Sequence, residues 1–318
     1  MRTSSQKICL LSRGMGLFLA LTLLMSSAAA AAPEKPPSPE TAQAGCDQGR
    51  LQGIPARAAA APTGHEFAQQ IRTVSGAARD ALVRSQLLSG NIPGFLRHLI
   101  PVSIVSGDPA QPVELTACVL PDYLAVGSDR DFVFVPMGLQ AALEVAMRLG
   151  FMLPTPNLVD AIYRESSVKL APLPLPAGEQ MRSTAYFVRH SDLVARQRDA
   201  LHANVGELTA GHKKDLVLSS RLWDVPGRVA IYGWHREVDD PIQPLSTWHG
   251  AHYADYSHGV RLVSDTVYIK GIPRALEDVL ADPSLASLLT SEGPWTQIAA
   301  RLTALMAHLR EAAATSRE

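Results

Sequence analysis

The chain has 318 residues, of which 47% are hydrophobic and 6% aromatic, and 29 Lys and Arg side chains stand against 30 Asp and Glu. The hydrophobic content excludes a disordered chain, and a formal charge of -1 excludes the broad positive surface of a typical nucleic-acid-binding protein. The length is enough for one large domain with a sizeable core, or for two small ones.

Residues 1–32 have the pattern of a secretory signal peptide. Arg2, Lys7 and Arg13 precede a short apolar run at residues 16–25, and a stretch of small, mainly Ala residues follows. The run is shorter than the roughly 20 apolar residues that a transmembrane helix needs. Cleavage would leave 26 basic against 30 acidic side chains, a formal charge of -4. We therefore expect a periplasmic or secreted protein with no membrane span after cleavage.

Export would place the remaining cysteines in an oxidising compartment. Cys9 leaves with the signal peptide, whereas Cys46 and Cys118 remain. An even pair in that setting predicts a disulfide between the N-terminal tail and the first strand region. A lone catalytic Cys118 is the alternative, but the alternating segment at residues 113–120 favours a buried strand position for it.

Local patterns predict the elements in chain order. Residues 33–62 form a Pro- and Ala-rich tail, and residues 63–318 form a single domain with a possible subdivision near 170–176. Helices are expected at residues 63–90, 138–149, 157–165, 178–201 and 294–314. Strands are expected within residues 113–136 and at 216–218, 229–232, 260–263 and 267–269. Because connections between the later strands are too short for helical crossovers, we expect an α+β fold with a mixed, largely antiparallel sheet flanked by helices.

Histidine and tryptophan are concentrated in one part of the chain. Residues 212–258 contain five of the ten histidines and three of the four tryptophans. Such a composition favours a functional site, because a site needs groups that titrate near neutral pH inside a shaped pocket. The sequence therefore places the candidate site in residues 212–261.

Three blocks in this region resemble a family of exported bacterial proteins. They are Tyr232-Gly233-Trp234-His235, the segment 241–246 (PIQPLS) and the segment 253–263 (YADYSHGVRLV). The resemblance extends upstream through residues 121–129 and 153–155. It implies export and a shared fold, and it brings no assigned activity.

A shorter block is similar to the S-H-G-C-x-R signature of L,D-transpeptidases, which cross-link peptidoglycan through a cysteine nucleophile. The block begins with Ser257-His258-Gly259, and Val260 stands where the cysteine is required. Without a thiolate that covalent mechanism cannot run.

Three chemistries remain open. A zinc site would use His249 and His252 with His212 or His258, because zinc favours imidazole nitrogen and a catalytic site keeps one position open; the spacing matches no standard metal motif. A metal-free site would use a histidine base with Ser257, Ser246 or water as nucleophile. A glycosidase would use Asp215 and Asp255.

The expectation is an exported hydrolase of a cell-envelope or extracellular polymer, with peptide or amide bonds preferred over glycosidic ones. The alternative is a non-catalytic periplasmic binding or assembly protein. The candidate catalytic residues are His212, Asp215, Asp255, Ser257, His258 and Arg261, the last as the anion holder. The candidate substrate-binding residues are Lys213, Trp248, Tyr253 and Tyr256. If residues 252–262 are extended, His252, Tyr256 and His258 share one face of the strand.

Overall fold

The computed structural model describes residues 45–47, 54–106 and 112–315. The expected signal peptide at residues 1–32 and the Pro-rich part of the expected tail lie outside the described residues. Within the described part, no helix combines the length and apolar character needed to cross a membrane. The described residues fall within one compact unit of the chain.

The helices begin and end close to the expected positions, and their caps explain why. Thr155 accepts a hydrogen bond from the backbone N–H of Leu158, and Pro156 occupies the first helical position. The stretch 63–90 divides into two helices, the second of which begins at Gly76 with φ 57°. The α-helices are α1 (Gly64–Gln70), α2 (Gly76–Leu88), α3 (Leu139–Arg148), α4 (Pro156–Glu165), α5 (Thr184–Ala200), α6 (Arg221–Asp224), α7 (Leu276–Ala281) and α8 (Ile298–Thr315).

Short strands occupy much of the remaining chain. They are β1 (Ile100–Val105), β2 (Glu114–Val119), β3 (Ala125–Gly127), β4 (Phe132–Phe134), β5 (Phe151–Met152), β6 (Val168–Lys169), β7 (Thr209–Ala210), β8 (Lys214–Leu216), β9 (Ile231–Glu237), β10 (Asp240–Ser246), β11 (His258–Gly259), β12 (Val263–Ile269) and β13 (Ile272–Ala275).

The strands form several small sheets that are mostly antiparallel. One sheet has the order β1-β2-β12-β13, with β5 also paired to β12, and all its pairs are antiparallel. A second has the order β10-β9-β8-β11, in which β8 and β11 are parallel. The α+β class with a mixed, largely antiparallel arrangement is therefore confirmed.

Residues 252–262 do not form the extended strand on which the face assignment depended. Only His258–Gly259 are paired as a strand, and turn structure precedes them. Because the chain turns, His258 and Asp255 approach each other instead of lying on opposite faces. The expected shared face of His252, Tyr256 and His258 is therefore wrong.

Two long-range links hold distant parts of the chain to this core. The Pro-rich segment 170–176 is fixed at Leu175, whose backbone N–H donates to the hydroxyl of Tyr256 at 2.7 Å. Cys46 and Cys118 form the expected disulfide across 72 residues of sequence, so that prediction is confirmed. Both cysteines are buried, and Cys118 lies on β2.

Replacing both Cys46 and Cys118 by Ala should lower the free energy of unfolding by about 4 kcal/mol, because the unfolded chain gains the freedom that a long disulfide loop removes. Urea denaturation of the oxidised wild type and the variant measures this. Wild type treated with a reductant serves as the control and should approach the variant. Equal unfolding midpoints in oxidised wild type and variant would refute the stabilising role.

Candidate functional site

A network of charged and polar side chains lies in the interior, where α5, β8 and the segments flanking β3 and β12 meet. We call it the buried ion network; each of its members is 4% exposed or less. They are Asp122, Tyr123, Arg198, His212, Asp215 and Arg261.

The Asp122 carboxylate is the most heavily paired acid of this network. Nη2 of Arg198 donates to Oδ2 of Asp122 at 2.5 Å, and Nε2 of His212 lies 3.2 Å from Oδ1. Burial acts to raise the pKa of Asp122, but His212 and Arg198 together hold that pKa well below its ordinary value. Burial also lowers the pKa of His212. Asp122 is thus an ionised carboxylate held by both His212 and the Arg198 guanidinium.

Asp215 has a different environment in the same network. It accepts a hydrogen bond from the Tyr123 hydroxyl at 2.7 Å, whereas Nε of Arg261 is 4.0 Å from its other oxygen. Burial raises the pKa of Asp215 to about 6, against the opposing charge of Arg261. The carboxyl group is therefore poised to change charge slightly below neutral pH, inside the protein.

Arg261 does not hold a substrate anion, contrary to the sequence-based role. Its side chain has no exposed surface. It donates to the carbonyl groups of Leu120 at 2.8 Å and Thr209 at 2.6 Å, and it lies 4.4 Å from the centre of the Tyr123 ring. The guanidinium therefore fastens two chain segments together, and Arg261 is a structural residue.

Lys213 and Tyr256, which the sequence placed in contact with substrate, are interior residues bound to protein groups in this structure. Nζ of Lys213 donates to the Tyr256 carbonyl at 2.6 Å and lies 5.3 Å from the centre of the Phe134 ring. Burial lowers the pKa of Lys213 to about 7. The Tyr256 hydroxyl binds the backbone of Leu175.

A second group of polar side chains reaches from the interior to the surface. We call it the His258 cluster; its members come from β8, from the turn before β11 and from β11 itself. They are Lys214, His249, Tyr253, Asp255, Ser257 and His258.

A tight turn builds the inner part of the His258 cluster. Oδ1 of Asp255 accepts from the Ser257 backbone N–H at 2.8 Å and from the Ser257 hydroxyl at 2.6 Å. The backbone N–H of His258 donates to the Asp255 carbonyl at 3.1 Å. Parallel pairing of β8 and β11 then sets His258 opposite Lys214. Asp and Ser are residues that favour such local side-chain to backbone bonds.

His258 is the central titratable group of the cluster. Its Nε2 lies 3.9 Å from Oδ2 of Asp255, which is beyond hydrogen-bonding distance, and neither ring nitrogen has a hydrogen-bond partner among the described residues. Burial lowers the pKa of His258 to about 4, although Asp255 opposes this. The imidazole is therefore neutral at pH 7 and has a free acceptor nitrogen.

Asp255 is ionised beside it. Burial acts to raise the pKa of Asp255, but His258 and the hydrogen bonds from Ser257 bring it below its ordinary value. The Tyr253 hydroxyl donates to Oδ2 at 2.9 Å, on the side that faces His258. Because Ser257 is occupied in donating to Asp255, no histidine is placed to activate it as a nucleophile.

Aromatic and basic side chains form the outer side of the cluster. The His249 and Tyr253 rings stack at 4.0 Å with an interplanar angle of 7°, and the His249 ring lies 6.4 Å from that of His258. Trp248, next along the chain, is 80% exposed. These side chains give the cluster its contact with solvent.

Lys214 covers a strained residue of β9. Its Nζ lies 5.0 Å from the centre of the Trp234 ring, and burial lowers the pKa of Lys214. Trp234 has φ 59°, a left-handed conformation that costs about 1–3 kcal/mol for a residue of this kind. Strain of this type is concentrated at functional sites, which favours this side of the cluster as the candidate site.

The histidines expected to bind zinc do not come together. His252 lines a separate cavity of about 130 Å³ beside Asp80, whereas His249 and His258 belong to the His258 cluster and His212 to the buried ion network. Across the residues that the structure describes, no three His, Cys, Asp or Glu side chains are placed as metal ligands would be. These residues therefore do not fit a zinc ion.

The remaining sequence-based candidates also lie in separate parts of the structure. Asp215 and Asp255 are equally buried, but they belong to different groups: Asp215 accepts from the Tyr123 hydroxyl, and Asp255 accepts from Ser257 and Tyr253, so the geometry does not support their pairing as two glycosidase carboxylates. The Ser246 hydroxyl accepts from the backbone N–H of Trp248 and contacts no histidine among the contacts of the described residues. His235 lies apart, bound to Asp160 at 2.9 Å and stacked on Tyr163.

Sequence reasoning missed Asp122, Tyr123 and Arg198. Pro121-Asp122-Tyr123 has the pattern of a turn, and Arg198 is one of several charged residues in a helix, so nothing local indicates that they are buried. The resemblance block at residues 121–129 was the one signal that included the first two.

The chain matches no protein-family model, no curated protein and no solved structure at a significant level.

Replacing Gly259 by Ala should destabilise the fold by about 1–3 kcal/mol, the usual cost of overpacking. A Cβ there would lie 2.4 Å from Cδ1 of Tyr123, whose hydroxyl holds Asp215. Thermal and urea unfolding measure the effect. Gly250→Ala is the matched control, because a Cβ at Gly250 meets nothing within 4 Å. Equal losses in both variants would contradict the packing argument.

The contribution of His258 to the free energy of unfolding should fall as the pH is lowered from about 6.5 to 4, whereas Asp215, with a pKa raised to about 6, contributes in the opposite direction. Unfolded His258 takes up a proton near its ordinary pKa of about 6.5, whereas folded His258, with a pKa of about 4, resists protonation. Stability from this residue is therefore present above pH 6.5 and lost towards pH 4, by about 3 kcal/mol.

Urea denaturation at pH 7, 5.5 and 4 tests this dependence. His258→Gln should flatten the pH dependence relative to wild type, because the variant has no group at this position that titrates. His98→Gln, at an exposed histidine, should follow wild type. If His258→Gln and wild type lose stability in parallel, buried neutral His258 is not the cause.

Proposed function

We propose that the protein is an exported hydrolase in which His258 is the general base for an attacking water. One observation carries this proposal: a neutral imidazole with both nitrogens unpaired among the described residues lies beside an ionised carboxylate. A general base needs a free lone pair at the working pH, and a neighbouring carboxylate favours the imidazolium that forms.

The proton path follows from these positions. A water near His258 gives a proton to a ring nitrogen as its oxygen attacks the carbonyl carbon of the substrate. Asp255, 3.9 Å away, stabilises the imidazolium by its negative charge. Collapse of the tetrahedral species breaks the bond to the leaving nitrogen, and the imidazolium returns the proton to that nitrogen. Lys214, which is paired with His258 across β8 and β11, is assigned to the developing oxyanion.

Access to His258 requires a local movement. The imidazole has no exposed surface, and the stacked pair of His249 and Tyr253 lies on its outer side. Separation of that pair opens a path from solvent to the ring. We assign these two side chains and Trp248 to substrate contact, since exposed aromatic rings bind extended apolar or ring-containing chains.

The preference for peptide or amide bonds over glycosidic bonds rests on which carboxylates are available. Hydrolysis of a glycosidic bond needs two carboxyl groups on either side of the bond. Asp255 has only the interior Asp215 as its expected partner, and Asp215 is committed to Tyr123. Peptide or amide bonds of a cell-envelope or extracellular polymer are therefore preferred. Export itself is inferred from the signal pattern at residues 1–32.

A binding or assembly protein without catalysis is the second candidate. It is favoured by the complete burial of His258 together with the 80% exposure of Trp248, because an exposed tryptophan beside a closed cluster is a contact surface that needs no reaction.

His258→Gln should lower the rate of hydrolysis by about 100-fold or more, the usual contribution of a general base. The mature protein is incubated with purified peptidoglycan, peptide substrates and glycans, and products are separated by liquid chromatography with mass detection. His98→Gln is the matched control and should retain the wild-type rate, because His98 is exposed and lies outside the cluster.

The outcomes separate the two candidates. Release of new amino groups by wild type and not by His258→Gln supports the hydrolase. Polymer binding that Trp248→Ala abolishes, without turnover of any substrate, supports the binding protein. Equal turnover by wild type and His258→Gln would remove His258 from the mechanism.

A further inference from the structure

Tyr253 contacts both the outer and the inner side of the His258 cluster. Its ring is partly exposed and stacks on the ring of His249 at 4.0 Å. Its hydroxyl donates to Oδ2 of Asp255 at 2.9 Å. The same ring lies 5.6 Å from the ring of His258, edge-on at an angle of 61°. One rigid side chain therefore links the aromatic stack that faces solvent to the carboxylate beside His258.

The two oxygens of the Asp255 carboxylate are held unequally. Oδ1 accepts from both the backbone N–H and the hydroxyl of Ser257. In the part of the chain that the structure describes, the Tyr253 hydroxyl is the one hydrogen-bond donor to Oδ2. Nε2 of His258 lies 3.9 Å from the same oxygen and has no hydrogen-bond partner among the described residues. Because a buried oxygen without a donor is costly, loss of the Tyr253 bond favours a new bond between Oδ2 and His258.

The charge state of His258 depends on the groups packed around it. Burial lowers the pKa of His258 most, and the neighbouring Asp255 carboxylate raises it. Three further groups lower this pKa: Lys214, His249 and Lys213. The basicity of the imidazole therefore depends on how closely the Asp255 carboxylate approaches it.

We propose that Tyr253 is a positioning residue that keeps the base inactive while the cluster is closed. In the closed form its hydroxyl holds Oδ2 of Asp255 away from His258. When Tyr253 moves outward from His249 to admit a substrate, the hydroxyl leaves Oδ2, which then accepts from Nε2–H of His258. The lone pair of Nδ1 is left to accept the proton of the attacking water. The inference rests on the proposed function, since it assigns the nitrogen that acts as the base.

Tyr253→Phe tests the restraint without any substrate, because the variant lacks the hydroxyl and retains the ring. The pKa of His258 is measured by NMR titration of the isotope-labelled mature protein, with His258→Gln to identify the signal. In Tyr253→Phe this pKa should rise by about one unit or more, as expected when an opposite charge comes closer. Nε2 should carry the proton of the neutral ring. An unchanged pKa overturns the proposal.

Tyr232→Phe is the matched control. The Tyr232 hydroxyl also donates to a carboxylate, that of Asp160, at 2.9 Å, and it lies outside the His258 cluster. This variant should leave the pKa of His258 unchanged, and an equal rise in both variants would overturn the proposal. Circular dichroism verifies the fold of each variant.

Diethyl pyrocarbonate tests the outward movement of Tyr253. It should modify His258 about tenfold faster in Tyr253→Phe than in wild type, because opening no longer breaks a hydrogen bond to a charged group. Mass spectrometry of peptides locates the modified ring. Equal rates in the two proteins would show that the hydroxyl does not hold the cluster closed, which overturns the proposal.

Hydrolysis assays distinguish failure of this inference from failure of the proposed function. If His258→Gln abolishes turnover while Tyr253→Phe leaves the pKa of His258 unchanged, the general base is supported and the positioning role of Tyr253 is refuted. A raised pKa in Tyr253→Phe, without turnover of any substrate by wild type, supports the restraint and removes the hydrolase.

Discussion

The ion pair between Asp122 and Arg198 is the contact on which the arrangement of the interior depends. It joins the segment after β2 to α5, and His212 adds the segment before β8 to the same carboxylate. A buried charge without its partner destabilises the folded protein by about 3–5 kcal/mol, so removal of one partner would strongly destabilise the junction of the three segments. Arg261 reinforces the junction through the carbonyl groups of Leu120 and Thr209.

This junction also determines where the His258 cluster lies. His212 is followed by Lys213 and Lys214, and β8 begins at Lys214, whose register with His258 sets the two side chains opposite each other. The backbone position of β8 is therefore fixed on one side by a buried ion pair and on the other by strand pairing. The histidine remains neutral at pH 7 because it is fully buried, and burial lowers its pKa.

The sequence by itself determined the α+β class, most helix positions and the disulfide, because these depend on local periodicity, capping residues such as Thr155 and an even count of cysteines. It also indicated the region of the candidate site. Only the tertiary structure decided which residues of that region meet. Local sequence does not show which residues are buried, and the candidate site residues Arg261, Lys213 and Asp215 lie in the interior. A single turn at Asp255 places His258 beside a carboxylate rather than beside His252.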